Sequence, residues 1–340
     1  MKSPAHPSLR IGAVVCCAAC AATATAQAAR LPDYKPAHQV SGTIRICGSP
    51  QMGDLLKLYE QAFVKQQPTV HFEEDLQSTL TAVSGVATGH ADIGLLGREI
   101  WPTEVQTFAS ATGHAPTVID VATGSYEVPQ ATFALMIFVP VANPIASLST
   151  AQLARIFASA DHPIRTWGEL GLTGGWAARP IHLYGFTVDN DKSQIFRQLI
   201  FTAGERWNPA LHQFANAPGA PATDAGELIL QSVAGDPDAI GISNIHYATP
   251  AVKPLALSKP AHPALIPPTR ANVANRTYPL TRAVYMVTNG DAAHPPTPAV
   301  LEFLRYVLSR QGAQAIIREG NYLPLPAEVA VSELHKLPAP

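Results

Sequence analysis

Cysteine is scarce in this sequence, and three of its four cysteines stand near the N-terminus, at positions 16, 17 and 20. Cys17 and Cys20 have the spacing of a redox or zinc-binding dithiol, but they fall in a segment that we expect to be cleaved off. Only Cys47 then remains, interpreted as a small buried hydrophobic residue at a strand end. This count excludes an internal disulfide in the mature chain, and we expect no thiol chemistry.

Clusters of basic residues are also missing. The 340 residues include 23 Lys and Arg against 25 Asp and Glu, a formal charge of −2. Loss of residues 1–26 would remove Lys2 and Arg10 and no acidic residue, leaving 21 basic and 25 acidic side chains and a charge of −4. Such a chain is a poor partner for nucleic acid or an anionic membrane.

Sequence motifs of catalysis are absent as well. The chain contains no Gly-x-x-x-x-Gly-Lys-Ser/Thr loop, no His-Glu-x-x-His and no Gly-x-Ser-x-Gly. Its 12 histidines are scattered, without the spacing of metal ligands. These absences favour a binding protein over an enzyme, and we expect no metal and no cofactor.

The N-terminal segment has the pattern of a secretory signal peptide, predicted to span residues 1–28. Two basic residues precede an uncharged run at residues 11–29, which offers the cleavage sites Ala-Thr-Ala and Ala-Gln-Ala at residues 24–26 and 26–28. The alternative, a membrane anchor, is disfavoured because the run is short and rich in alanine. No later stretch is long and apolar enough to span a bilayer. We therefore expect export to the periplasm, with cleavage near residues 26–28.

The rest of the chain alternates strand and helix patterns. Residues 43–47 alternate like a strand, residues 53–67 carry apolar residues at helical spacing, and a similar strand, helix and strand follow to residue 96. This order is typical of a parallel sheet with helices on its faces. A second such group follows residues 132–139, an apolar run that suits a strand crossing between lobes. We expect two α/β lobes, because about 310 mature residues exceed one typical domain.

Two loops lie where open parallel sheets bind ligands, outside the carboxyl ends of strands and before helix N-termini. They are residues 48–52 and residues 77–81. In the second loop, Ser78 and Thr79 place hydroxyl groups at the start of a helix, where unpaired N–H groups attract anions. The alternative is that Thr79 only caps the helix.

Arg98 follows the next strand, at residues 91–96. Its planar guanidinium is a candidate for gripping an anion at the same edge of the sheet. The alternative is a surface salt bridge with an acidic neighbour such as Glu99 or Glu104, and the residues alone leave this open.

Several segments, in this order, resemble the phosphate-type periplasmic binding proteins of ABC importers. They are ADIGLLGRE, NPIASLSTAQLARIF, TWGELGLTGGW, PIHLYG, DAIGISNIHY, RTYPLTRAVYMVTN and EFLRYVLSRQGAQAIIREGNYLPLP. The resemblance covers residues 41–327. It implies an α/β fold of the two-lobed type II clamshell, each lobe a mixed, mainly parallel sheet flanked by helices. Lobe 1 would comprise residues 41–127 and 250–340, and lobe 2 residues 128–249.

The resemblance also implies a function and a site. The expected protein is a monomer that captures an oxyanion, phosphate by default, and serves an ABC permease. Matched position by position, the expected ligand-binding residues are Ser49, Gln51, Met52, Ser78, Thr79, Gly97, Arg98, Asn190 and Lys192.

The third binding loop departs from the family pattern. Where relatives have Tyr-Gly-Arg followed by Ser-Gly-Thr, this chain has Phe186 for the arginine and Asn190-Asp191-Lys192 for the last three residues. Phe186 cannot donate a hydrogen bond, and Lys192 restores the charge only as a point charge. Two alternatives therefore remain: a different organic anion in the same fold, with Phe186 and Tyr126 against its apolar part, or an exported sensor or scaffold with a protein partner.

Overall fold

The computed structural model describes residues 28–217, 224–290 and 295–338. The predicted signal peptide lies outside the described residues, except for Ala28. In the described part, strands form two five-stranded sheets and one three-stranded sheet, with helices packed on them. The expected α/β class is thereby confirmed. Within these ranges no helix combines the length and the apolar character needed to cross a membrane.

The strands are β1 (Gly42–Gly48), β2 (Val70–Asp75), β3 (Ile93–Leu96), β4 (Thr117–Thr123), β5 (Met136–Pro140), β6 (Ser147–Ser149), β7 (His182–Phe186), β8 (Leu211–Phe214), β9 (Ala239–Ser243), β10 (Val252–Pro254), β11 (Ala256–Lys259), β12 (His262–Ile266) and β13 (Ala283–Thr288). The helices are α1 (Gly53–Phe63), α2 (Thr81–Ala87), α3 (Pro102–Thr112), α4 (Thr150–Phe157), α5 (Asp191–Ile200), α6 (Ala225–Gly235), α7 (Arg270–Ala274), α8 (Pro298–Val307), α9 (Arg310–Glu319) and α10 (Ala327–Leu334).

The first sheet has the strand order β2-β1-β3-β13-β4. β1 is parallel to β2 and β3, whereas β13 is antiparallel to β3 and β4. Because β1 and β3 are parallel neighbours, their carboxyl ends meet at one end of the sheet. The loops after Gly48 and after Leu96 therefore lie side by side.

Helix α1 anchors the core of the first lobe. Its apolar residues recur at helical spacing and are almost fully buried, as the sequence predicts: Leu55, Leu56, Tyr59 and Phe63. They pack against the sheet and against α8 and α9, within one cluster of buried side chains. This packing holds the loop at residues 49–52, which leads into α1.

Glu60 on α1 and Glu74 on β2 form a carboxyl pair that predicts a pH-dependent stability. Burial and the neighbouring Glu74 raise the pKa of Glu60 to about 8. A carboxyl whose pKa is raised by folding contributes stability that is complete below its unfolded pKa and is lost as the pH rises through the folded pKa. We therefore expect the unfolding free energy of Glu60→Gln to fall less between about pH 5 and pH 9 than that of the unchanged protein. The expected difference is about 1–2 kcal/mol, because Glu60 is only partly buried, Glu74 is exposed and solvent screens the pair.

Chemical denaturation across this pH range measures the effect. Glu73→Gln is the matched control, since Glu73 is exposed on the neighbouring strand β2. Equal pH profiles for Glu60→Gln and the unchanged protein would contradict the prediction.

The second sheet has the order β10-β5-β9-β7-β8. β7 is parallel to β8 and β9, and β5 is antiparallel to β9 and β10. Every residue of β5 and β9 is buried, which explains the apolar run in the sequence. Parallel and antiparallel pairings are thus equal in number in each five-stranded sheet of the described chain. The carboxyl end of β7 leads through a short loop into α5.

The chain crosses between the lobes twice, and the two crossings are hydrogen-bonded to each other. The N–H of Gly124 donates to the carbonyl of Arg282 at 2.8 Å, and the N–H of Leu135 donates to Leu280 at 3.1 Å. Residues 252–280 pack into the core of the second lobe, and β10 pairs with β5. We therefore propose that the chain returns to lobe 1 near residue 281, rather than at residue 250 as the sequence predicts.

Candidate functional site

A cleft of about 410 Å³ lies where the two lobes face each other. The first lobe contributes the loops after β1 and β3 and the start of α2, and the second lobe contributes the start of α5. The structure brings seven of the nine predicted residues to this cleft: Ser49, Gln51, Ser78, Thr79, Gly97, Arg98 and Lys192. The six residues of the first lobe meet because their loops follow parallel strands of one sheet, whereas Lys192 comes from the second sheet, after β7.

Met52 and Asn190 do not line the cleft. Met52 ends a 3₁₀ turn, and its side chain is 1% exposed in the core of the first lobe. Asn190 is the N-cap of α5, and its Oδ1 accepts a hydrogen bond from the N–H of Lys192 at 3.0 Å. Assigning these two side chains to ligand binding does not fit the structure, because packing and helix capping already employ them.

Ser49 is the most informative residue of the site. It is fully buried at the cleft, and its Oγ has no hydrogen-bond partner among the described residues. A buried hydroxyl without a partner costs about 1–3 kcal/mol, so such a group calls for an explanation. A methyl group on Gly97 would lie 2.7 Å from this oxygen. The glycine at position 97 therefore leaves room beside Ser49.

The hydroxyls of the second loop have separate roles. Ser78 Oγ accepts a hydrogen bond from the N–H of Leu80 at 3.2 Å, ahead of α2. Thr79 lines the cleft and makes no side-chain hydrogen bond within the described chain, so it is not the capping residue. The alternative that Thr79 only caps the helix does not fit this geometry.

Arg98 forms an ion pair with one of the acidic neighbours considered from the sequence. Its guanidinium binds both carboxylate oxygens of Glu104, at 2.9 and 2.6 Å, and lies 3.8 Å from the ring of Trp101. The pair is largely buried rather than on the surface, with 6% and 16% of the two side chains exposed. Arg98 therefore forms part of the cleft wall with its charge already balanced.

Arg282 is the functional candidate that sequence reasoning missed. It stands on the second crossing, lines the cleft and has a side chain only 1% exposed. Its Nε and Nη2 donate to Glu99 at 2.9–3.3 Å, and Nη2 also donates to Asp191 on the opposite lobe at 3.1 Å. Burial alone would lower the pKa of Arg282, but the two carboxylates raise it above its usual range. The sequence does contain a signal for it, because this arginine directly precedes β13 in the RTYPLTRAVYMVTN segment.

The start of α5 places a negative and a positive side chain, Asp191 and Lys192, at the cleft. Lys192 Nζ lies 3.3 Å from Asp191 Oδ1 and 5.4 Å from the ring of Phe186. Burial would raise the pKa of Asp191, but Arg282 and Lys192 together hold it below its usual value. Phe186 is 2% exposed in the core of the second lobe and does not line the cleft.

A second group of titratable residues lies at the opposite end of β7. Ligand atoms of His182, Asp236 and Asp238 come within 4.8 Å of one another. However, Asp236 Oδ2 already accepts hydrogen bonds from His182 and Tyr184, and Asp238 pairs with the guanidinium of Arg179 at 2.6 Å. These contacts account for the carboxylates, and a neighbouring guanidinium disfavours a metal ion.

Known proteins share this architecture. A family model described as a PBP superfamily domain matches residues 34–311. The phosphate-binding protein PstS of Pseudomonas aeruginosa PAO1 is 32% identical over 312 residues, 90% of each chain. Protein SphX of Synechococcus elongatus is 28% identical over 207 residues, 59% of this chain and 56% of that one.

Solved structures share the fold. PstS from Borrelia burgdorferi has a TM-score of 0.55 at 16% identity, covering 84% of this chain and 99% of its own. An ABC-type phosphate transport receptor from Vibrio cholerae has a TM-score of 0.53 at 20% identity, covering 82% and 99%.

The fold and the cleft thus define a two-lobed solute-binding protein, and the predicted clamshell is confirmed. More particularly, the chain belongs to the PBP superfamily, and its resemblance to the phosphate-type binding proteins is confirmed by the PstS relative. No catalytic family is indicated by these comparisons, and they do not favour the alternatives of another organic anion or a protein scaffold.

Proposed function

We propose that this protein is exported and captures phosphate in the cleft between its lobes, for delivery to an ABC importer. The observation that carries the proposal is the buried Ser49 hydroxyl, which lies at the cleft without a hydrogen-bond partner among the described residues. A ligand oxygen would satisfy it. The name of the PstS relative, a phosphate-binding protein that matches 90% of the chain, supports phosphate as the ligand.

The cleft contains suitable donors for an oxyanion. Ser49 Oγ and Thr79 Oγ1 make no hydrogen bond to the part of the chain that the structure describes, so both can donate to a ligand from the first lobe. Lys192 supplies positive charge from the second lobe, and Arg282 supplies it from the crossing between the lobes. Binding would therefore join groups from both lobes, which is the arrangement that hinge closure requires.

Export and partners are part of the same proposal. The signal peptide would be cleaved near residues 26–28, and the chain that follows is already packed on lobe 1. Leu31 is 2% exposed, the N–H of Arg310 donates to Pro32, and Tyr34 donates to Glu302 at 2.8 Å. The mature protein would act in the periplasm as a monomer and dock on an ABC permease.

Ser49→Ala tests the proposal directly. We expect the phosphate affinity of the mature protein to fall about tenfold, because one hydrogen bond to a charged ligand is lost. The free energy of unfolding should stay the same or rise, because the hydroxyl has no partner in the protein to lose. Calorimetry with inorganic phosphate and chemical denaturation measure the two quantities.

Ser84→Ala is the matched control, because Ser84 is an exposed serine on α2 that does not line the cleft. Its phosphate affinity should equal that of the unchanged protein. Absence of phosphate binding by the folded, unchanged protein would refute the proposed ligand. Equal affinities for Ser49→Ala and Ser84→Ala would refute the role of Ser49.

A further inference from the structure

Within the described part of the chain, the cations that line the cleft all have carboxylate partners. Arg98 is paired with Glu104, Arg282 with Glu99 and Asp191, and Lys192 with Asp191. Asp189 also lines the cleft. The three cations therefore face four carboxylates, and their local charge is −1. An oxyanion gains little Coulomb energy here unless one carboxylate moves away.

The three paired carboxylates differ in how firmly they are held. Both oxygens of Glu104 bind Arg98, and one also accepts the N–H of Trp101. Glu99 makes three contacts with Arg282 and follows β3 in the first lobe. Neither pair needs to change when the lobes move.

Asp191 is the exception. It makes a single contact with Arg282, at 3.1 Å, and one with Lys192, at 3.3 Å. Its side chain is 31% exposed. Asp191 lies in the first turn of α5, on the second lobe. Arg282, in contrast, is held by its ion pair with Glu99 of the first lobe. Among the described residues that line the cleft, its bond to Arg282 is thus the one ion pair that joins the second lobe to residues outside it. Arg276 also pairs with Asp120 on β4 of the first lobe, but neither of these residues lines the cleft.

We propose that Asp191 is an internal anion, which occupies Arg282 across the cleft until the ligand displaces it, and that Arg282 then binds the ligand. This inference rests on the proposed function, since it requires an anionic ligand in this cleft. In the ligand-free state the Arg282–Asp191 pair holds the lobes together. In the bound state an oxyanion oxygen takes the place of the aspartate carboxylate at the guanidinium.

The proposal predicts the direction in which the ligand affinity changes when the Arg282–Asp191 pair is removed. If the Arg282–Asp191 pair exists only without ligand, removing it destabilises the ligand-free state alone, and the ligand binds more tightly. If Asp191 instead accepted a hydrogen from a protonated oxyanion, removing its charge would weaken binding. The direction of the change therefore distinguishes an internal competitor from a ligand-binding group.

The decisive variant is Asp191→Asn, with Asp189→Asn as the matched control. Both remove one negative charge from the same loop, but Asp189 has no ion pair with a described residue to lose. In calorimetry with inorganic phosphate, we expect the affinity to rise about tenfold for Asp191→Asn and about threefold or less for Asp189→Asn. Thermal unfolding of both variants checks that they fold.

Small-angle X-ray scattering of the ligand-free proteins is the second readout, and it does not depend on the ligand. The radius of gyration should be larger for Asp191→Asn than for Asp189→Asn and the unchanged protein. If Asp191→Asn binds phosphate with unchanged or weaker affinity, the proposed displacement of Asp191 from Arg282 by the ligand is wrong. If the unchanged protein does not bind phosphate, the proposed function is wrong. The scattering then tests the Arg282–Asp191 pair by itself, and equal radii of gyration for the three proteins would show that this pair does not hold the lobes together.

Discussion

Replacing Arg282 by glutamine is expected to lower the free energy of unfolding by about 3–5 kcal/mol and to abolish measurable phosphate binding. The guanidinium is buried and is the partner of Glu99, whose side chain is only 16% exposed. Without it, the Glu99 carboxylate is left buried and uncompensated, which costs far more than the intact pair contributes. Chemical denaturation and phosphate calorimetry on the same preparation measure both effects.

The double variant Arg282→Gln/Glu99→Gln separates the two effects. Neutralising both partners removes the uncompensated charge, so most of the lost stability should return. Phosphate binding should stay absent, because the cation that receives the ligand is still missing. If the double variant is as unstable as Arg282→Gln alone, the instability does not come from the stranded carboxylate and this explanation is wrong.

Local patterns in the sequence are sufficient to predict most of the cleft. The loops at residues 48–52 and 77–81 each join the end of a strand to a helix, and strand and helix periodicities are visible within a few residues. Once β1 and β2 are taken as parallel neighbours, both loops must meet at one end of the sheet. Ser49 and Thr79 are found at the cleft for this reason. Their binding of a ligand remains a prediction.

Other features depend on contacts that no local pattern records. Arg282 meets Glu99 across 183 residues and Asp191 across 91, so its role emerges only from the way the two crossings fold together. The family resemblance predicts Met52 as a ligand-binding residue, but the 3₁₀ turn directs its side chain into the core. The return boundary is hidden because β10 pairs with β5, which precedes it by more than a hundred residues.

Gly48→Ala is expected to lower the free energy of unfolding by about 4 kcal/mol and to weaken phosphate binding about tenfold or more. Gly48 has a φ of +125°, a backbone region that L side chains rarely adopt. A methyl group there would lie 2.4 Å from the carbonyl oxygen of Leu95, a backbone atom of β3 that cannot rotate away. Strands β1 and β3 would have to separate where the N–H of Ser49 donates to that carbonyl at 3.0 Å.

Gly89→Ala provides the matched comparison, because Gly89 also has a positive φ, of +72°, but no atom within 4 Å of the added methyl group. We expect it to lose about 1 kcal/mol from backbone strain alone and to bind phosphate normally. Denaturation and phosphate calorimetry of the two variants thus separate the strain of a positive φ from the clash with β3. Similar losses in both would show that the contact with Leu95 relaxes freely. The position of Ser49 would then not depend on how closely β1 approaches β3.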